Sequence, residues 1–185
     1  MHPKHVSIPA SRYFITCRCA ADRNPFAAPR NCVEYQTVLA EKMEQLDFSV
    51  IAYVLMPDHI HLLIEIGKCD PLQKIMHHVN GAAAFRINGI EGKRGVKVWQ
   101  GRYYDSRVRA ISDLINRINY IHMNPVRKGF SSKPSQYACS SASLYCEVFG
   151  SDMLGGDVLR GVIFEDYLSK VRSRILVALK GDLPS

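Results

Sequence analysis

Nowhere does the chain offer about eighteen apolar residues in succession, and it does not open on a basic, apolar leader, so neither a membrane-spanning helix nor a signal peptide is expected. It has six cysteines but no Cys-x-x-Cys pair, so a zinc ribbon and a dithiol redox motif find no support. With no secretory context, reduced thiols in a soluble, cytoplasmic protein are expected. Tryptophan occurs once, and no internal repeat is present. Acidic residues are few, 17 against 24 Lys and Arg; the resulting +7 charge and pI near 9.2 favour a polyanionic partner. What is there is ordinary globular material. Hydrophobic residues make up 47% and charged residues 22%, which excludes a disordered chain, and 185 residues suffice for one domain with a proper core.

The most informative stretch is Val50 to Ile66, VIAYVLMPDHIHLLIEI. Two β-branched, apolar runs flank Met56-Pro57-Asp58, which predicts an antiparallel hairpin with its second strand from His59. Alternation puts His59, His61, Leu63 and Glu65 on one face, and Ile60, Leu62, Ile64 and Ile66 on a core face. At a rise of roughly 3.3 Å per residue the two imidazoles stand about 7 Å apart, close enough to share a divalent cation. The alternative for such a pair is a polar strand face or stacked core histidines.

Around this hairpin the chain reads as follows. Residues 1–11, with His2 and His5, form a loosely held arm. Arg12 to Cys19 is a strand, Asn24 to Asn31 a loop, and Val33 to Asp47 an amphipathic helix on Tyr35, Val38, Leu39, Met43 and Leu46. Asp70 is expected as N-cap and Pro71 as first residue of the next helix, whose His77 and His78 are surface residues. Asn88 to Arg102 is a basic, glycine-rich loop holding Trp99, which either stacks on an unpaired base or plugs the core. Tyr103 to Ala110 is a fourth strand. Ser112 is expected to cap a helix stopped by Pro125, with Leu114, Ile115, Ile118 and Ile121 buried. Opposite them runs a polar stripe of Asp113, Asn116, Arg117, Tyr120 and Asn124. A weakly structured Ser-rich segment to about Tyr145 and a helical tail over 157–180 complete the chain. The order β-α-β-β-α-β predicts an α+β, ferredoxin-like antiparallel sheet with helices on one face, followed by further helices. Residues 1–145 are expected to form the catalytic domain and 146–185 a helical extension.

Tyr120 and Asn124 lie one turn apart on a helix face that no core requires; a tyrosine can serve as a covalent nucleophile and an Asn oxygen as a metal ligand. At this point a resemblance enters. YVLMPDHIHLLIE, VWQGRYYDSRVR and YIHMNPVRKGF, in that order between about Tyr13 and Tyr145, closely resemble the REP-associated tyrosine transposases, a branch of the single-tyrosine HUH transposases. The chain departs from many relatives at Ser106 and at Tyr137-Ala138-Cys139.

The resemblance implies Tyr120 as nucleophile and His59, His61 and Asn124 as ligands of a Mg or Mn ion. It implies phosphodiester transfer on single-stranded DNA at a hairpin, through a 5′-phosphotyrosine, by a monomer or homodimer acting at the bacterial nucleoid with no membrane or small-molecule substrate. Lys93, Arg94, Lys97, Trp99, Arg102, Arg107, Arg109, Arg127 and Lys128 are the candidate DNA contacts. The competing expectations are a hairpin-binding module without catalysis and a hydrolase in which the histidines activate water.

Overall fold

A computed structural model describes residues 7–155 and 162–181. Of the expected arm, residues 1–6, with His2 and His5, lie outside the described residues, as does the start of the tail; residues 7–11 are not loosely held, since Ile8 N–H donates to the Tyr13 hydroxyl, Ala10 N–H donates to Gly67 O, and Ser11 opens the first strand. Four strands carry the apolar, β-branched runs: β1 (Ser11–Arg18), β2 (Phe48–Met56), β3 (His59–Ile66) and β4 (Tyr104–Val108). They form one antiparallel sheet in the order β2-β3-β1-β4, the ferredoxin-like order. The two crossover helices are α1 (Pro29–Gln45) and α2 (Leu72–Glu91). They lie on the face of Ile60, Leu62, Ile64 and Ile66, where Asn80 of α2 donates to Cys17 Sγ of β1 and Gln36 of α1 to the Tyr53 hydroxyl of β2. The other face is that of His59 and His61, and above it runs α3 (Ile111–Arg127).

Several helix ends differ from expectation, each for a local reason. The first helix begins four residues earlier, with Pro29 in its first turn. Buried Asn31, expected in a loop, donates to the Pro25 carbonyl and to Glu91. Pro71, not Asp70, precedes the second helix, because the Asp70 carboxylate accepts from the Asp47 backbone and from Lys74 instead. That helix extends to Glu91 and ends at Gly92, whose left-handed φ of 67° suits a residue without a side chain, so the basic loop is shorter than the glycines suggested. Ser112 caps nothing; the N-cap position is Ala110. Pro125 does not stop its helix, which continues to Arg127: Pro125 is buried, and Lys128 N–H still donates to the Asn124 carbonyl.

The largest departure is the segment after Gly129, which is not loose. Its backbone pairs with the outer edge of β2, Leu55 N–H donating to Cys139 O at 2.8 Å and Ser141 N–H to Tyr53 O at 3.1 Å. The Tyr137 and Tyr145 hydroxyls reach the Leu55 and Ile51 carbonyls, so an edge that would otherwise template aggregation is satisfied. From there α4 (Ala142–Phe149) and α5 (Val162–Lys180) follow, and Leu168, Val171 and Ile175 of α5 join the core of the sheet. No helix of the described residues is long and apolar enough to cross a membrane. All six cysteines are free thiols.

Candidate active site

The site is set by strand register. On the face opposite α1 and α2, β1 presents Arg12, Phe14, Thr16 and Arg18, which pair with Glu65, Leu63, His61 and His59 of β3. The two imidazoles lie with ring centroids 4.8 Å apart. Each has one nitrogen engaged. His59 Nδ1 is 2.7 Å from Asp58 Oδ1, and His61 Nδ1 is 2.9 Å from Thr16 Oγ1. A tautomer that donates through Nδ1 leaves Nε2 with its lone pair, the arrangement by which an outer partner orients a metal-binding histidine.

Electrostatics keep His61 in ligand form. His61 is 5% exposed, and that burial, reinforced by His59 and Arg18, pushes its pKa down to about 3, so it stays neutral. Burial alone would raise Asp58, but its hydrogen bond with His59 and the nearby Arg18 charge bring it below the ordinary carboxylate range.

Helix α3 delivers the polar stripe to this face. Tyr120 sits edge-on to His61 at 5.3 Å and to Phe14 at 5.8 Å, with 39% of its surface open to solvent. Arg127 lies over its ring at 5.6 Å. Arg117, ion-paired with Asp113, covers Phe14 at 4.8 Å. One turn beyond Tyr120, Asn124 is only 6% exposed, and its Oδ1 is buried without a hydrogen-bond partner. An orphaned buried carbonyl is costly unless something occupies it, and a hard cation is a fitting occupant. Two imidazoles and one carboxamide fit Mg or Mn with water completing the shell; among the described residues no cluster of three His, Cys, Asp or Glu side chains offers a different metal site.

The remaining candidates divide by position. Lys97 and Arg102 belong to the segment that pairs beside Arg18 to Ala20, next to the histidines, where Gln100 N–H donates to Arg18 O and Ala20 N–H to Val98 O. Lys128 follows Arg127 at the end of α3. Lys93 is tied to Glu91 at 3.1 Å, and Arg94 is exposed in the same loop. Arg107 and Arg109 lie at the other end of the sheet, lining an open cavity of about 890 Å³ with Arg12, Glu65 and Lys68. Trp99 is partly buried: its Nε1 donates to Asn80 O at 2.8 Å and its ring packs on Phe26 and Tyr35, the contacts expected of an indole that plugs the core.

Sequence reasoning missed Arg18 and Thr16. Neither belongs to a motif; only the pairing of β1 with β3 puts them beside the histidines. His122, inside the third motif, is a core residue rather than a ligand. It is buried, sits 3.0 Å from Ser141 Oγ, and is held neutral by that burial with its pKa down to about 3.

A family model for IS200-like transposases matches residues 11–124, which holds β1, the histidine pair, Tyr120 and Asn124. The chain belongs to that family. Its sequence relatives include a Haemophilus influenzae protein named for the REP-associated tyrosine transposases, 25% identical over 146 residues, covering 69% of this chain and 78% of that one. The REP-associated tyrosine transposase of Escherichia coli K12 is 22% identical over 102 residues, 51% of this chain and 54% of the relative. Among solved structures, a REP-associated tyrosine transposase bound to a REP hairpin superposes with a TM-score of 0.69 at 17% identity, covering 88% of this chain and 96% of the other. At that identity the likeness concerns the fold, and it extends past the family model into the C-terminal segment. The resemblance read from the three motifs therefore holds.

Proposed function

We propose that the protein cleaves and rejoins single-stranded DNA beside a hairpin, with Tyr120 as nucleophile. The observation that carries this reading is the packing of a half-exposed tyrosine against one of two neighbouring histidines, with an unpartnered, buried Asn oxygen one turn farther along the same helix. Membership of a transposase family and the fold shared with a hairpin-bound relative support DNA as the substrate. His59, His61 and Asn124 would hold a Mg²⁺ or Mn²⁺ ion, which supplies charge neutralisation at the scissile phosphate.

The chain's own groups account for the rest. The Tyr120 oxygen forms a bond to phosphorus and gives up its phenolic proton to solvent, the bond from phosphorus to the 3′ oxygen breaks, and that oxygen takes a proton from solvent and leaves as a free 3′-hydroxyl. The 5′-phosphotyrosine keeps the bond energy, so attack by another 3′-hydroxyl rejoins strands without ATP. Arg127, over the Tyr120 ring, and Arg18, across from His59, stand where a phosphodiester would approach, and guanidinium groups suit it. Lys97, Arg102 and Lys128 extend that positive surface along the strand.

The test is incubation with labelled hairpin DNA of varied single-stranded flanks and Mn²⁺, followed by denaturation in detergent. A labelled protein band that disappears with chelator is expected. Cleavage without a band would mean that water is the nucleophile, and tight binding with neither would mean a hairpin-binding module.

A further inference from the structure

Away from the candidate active site, two of the free thiols meet. Cys32 lies in the first turns of α1, and Cys139 lies in the segment that covers the outer edge of β2. Strand pairing brings them together. Leu55 N–H donates to Cys139 O at 2.8 Å, and Leu55 pairs on its other side with Ile60, a residue of the sheet face that carries α1 and α2. On that same face Gln36, one helical turn after Cys32, donates to the Tyr53 hydroxyl at 3.0 Å. Cys32 and Cys139 thus face one another, and their thiols hydrogen-bond.

The two thiols are unequal. Cys32 is 1% exposed and also donates to the Phe26 carbonyl at 3.4 Å, whereas Cys139 is partly open to solvent. The hydrogen bond from Cys32 draws Cys139 below the ordinary thiol value, against the effect of its partial burial. The same bond, together with burial, pushes Cys32 up. Cys139 is therefore the thiol that ionises and meets solvent, and Cys32 waits behind it. Burial pushes Cys17 and Cys19 up to about 12, and a hydrogen bond with Asp47 raises exposed Cys69, so these three are poor nucleophiles.

We infer that Cys32 and Cys139 are a redox pair that closes to a disulfide when the chain meets hydrogen peroxide. The Cys139 thiolate attacks one peroxide oxygen, the O–O bond breaks, and the hydroxide released takes up the proton that Cys139 gave to solvent. Cys139 is left as a sulfenic acid. Cys32 then attacks the Cys139 sulfur, the S–O bond breaks, and the leaving hydroxide takes the Cys32 proton. Two thiols are oxidised to one disulfide, and one peroxide is reduced to two waters. Exchange with two equivalents of a small thiol reverses the step. Because the bridge joins positions far apart in the chain, it straps the cover of the β2 edge to α1 and closes a long loop. It does not depend on the strand-cleavage reading.

The experiment treats the full chain, reduced and then freed of reductant, with a few equivalents of hydrogen peroxide, followed by alkylation in denaturant and digestion without reduction. The result expected is one bridged peptide pair, Cys32 to Cys139, with Cys17, Cys19, Cys69 and Cys146 alkylated. The melting temperature should rise by about five degrees and return when dithiothreitol is added. In C32S, dimedone should label Cys139; in C139S, peroxide should leave Cys32 unlabelled. Complete alkylation of all six thiols after peroxide, a bridge between any other pair, or dimedone on Cys32 in C139S would overturn the pair. A bridge that leaves the melting temperature unchanged would overturn its role as a strap.

Discussion

Two ends of one sheet face handle charge in opposite ways. At the Glu65 end the charges are paired, although Arg172 Nε itself has no hydrogen-bond partner among the described residues: Arg12 Nε binds Glu65 at 2.7 Å, Arg172 of α5 binds it at 2.9 Å, and Arg12 reaches Glu165 at 2.8 Å. At the histidine end, four residues along the same strand, groups are left open. Tyr120 is partly exposed, Asn124 Oδ1 has no partner among the described residues, and His61 is kept uncharged. A closed network fixes α5 against the sheet; an open one is ready for a ligand that completes it.

Tyr120→Phe should give the largest effect, since it removes only a hydroxyl at the open end. The covalent band should fall by roughly a thousandfold or more, with the melting temperature essentially unchanged. Asn124→Ala comes next: the Mn²⁺ needed for half-maximal cleavage should rise at least about tenfold, and an unaltered titration would remove Asn124 from the ligand set. At the closed end the expected effects are on stability alone. Arg172→Ala should lower stability by about 1 kcal/mol, or a few degrees of melting temperature, without loss of the band.

The smallest effect is the pH dependence of that network. Burial by itself would raise the Glu65 pKa, but hydrogen bonds from Arg12 and Arg172 hold it below the usual value of 4.5. A depressed carboxylate stabilises the fold above its unfolded pKa and loses that contribution as pH falls through its folded pKa. Melting temperature should therefore drop below about pH 4.5, and Glu65→Gln should flatten the drop. A Glu65→Gln protein with the same acid slope would mean that the two ends do not differ as described.

How much of this was legible in the sequence depends on whether the signal was local. The hairpin, the β-α-β-β-α-β order and the helix bearing Tyr120 and Asn124 all follow from periodicities of 2 and 3.6 and were read correctly. Pairing register was not legible. Nothing near Arg18 or Thr16 announces that β1 will set them against His59 and His61. Trp99 could not be assigned either, because an indole in a basic loop looks the same whether its N–H meets Asn80 or its face meets a base. The residues after Gly129 were misjudged for a related reason. Serines and tyrosines without periodicity look loose, yet they are polar because they satisfy the open edge of β2, a partner some 85 residues away in the chain. Pro125 misled in the opposite direction, since the helix runs only two residues beyond it and its last turn is closed by Lys128 N–H on Asn124 O and Phe130 N–H on Pro125 O.

The central claim is that Tyr120 is the residue that joins to DNA. Tyr104 makes the most direct measurement a discriminating one, because it lies on the same sheet face, across β1 from His61, and is 61% exposed. Trapped adduct should be digested with protease and the DNA-bearing peptide sequenced by mass spectrometry, with the strand ends identified. The account predicts a peptide modified at Tyr120, linked through a 5′ phosphate, and a released strand ending in a 3′-hydroxyl. Modification at Tyr104, or a cut strand with a free 5′ phosphate and unmodified protein, would contradict it.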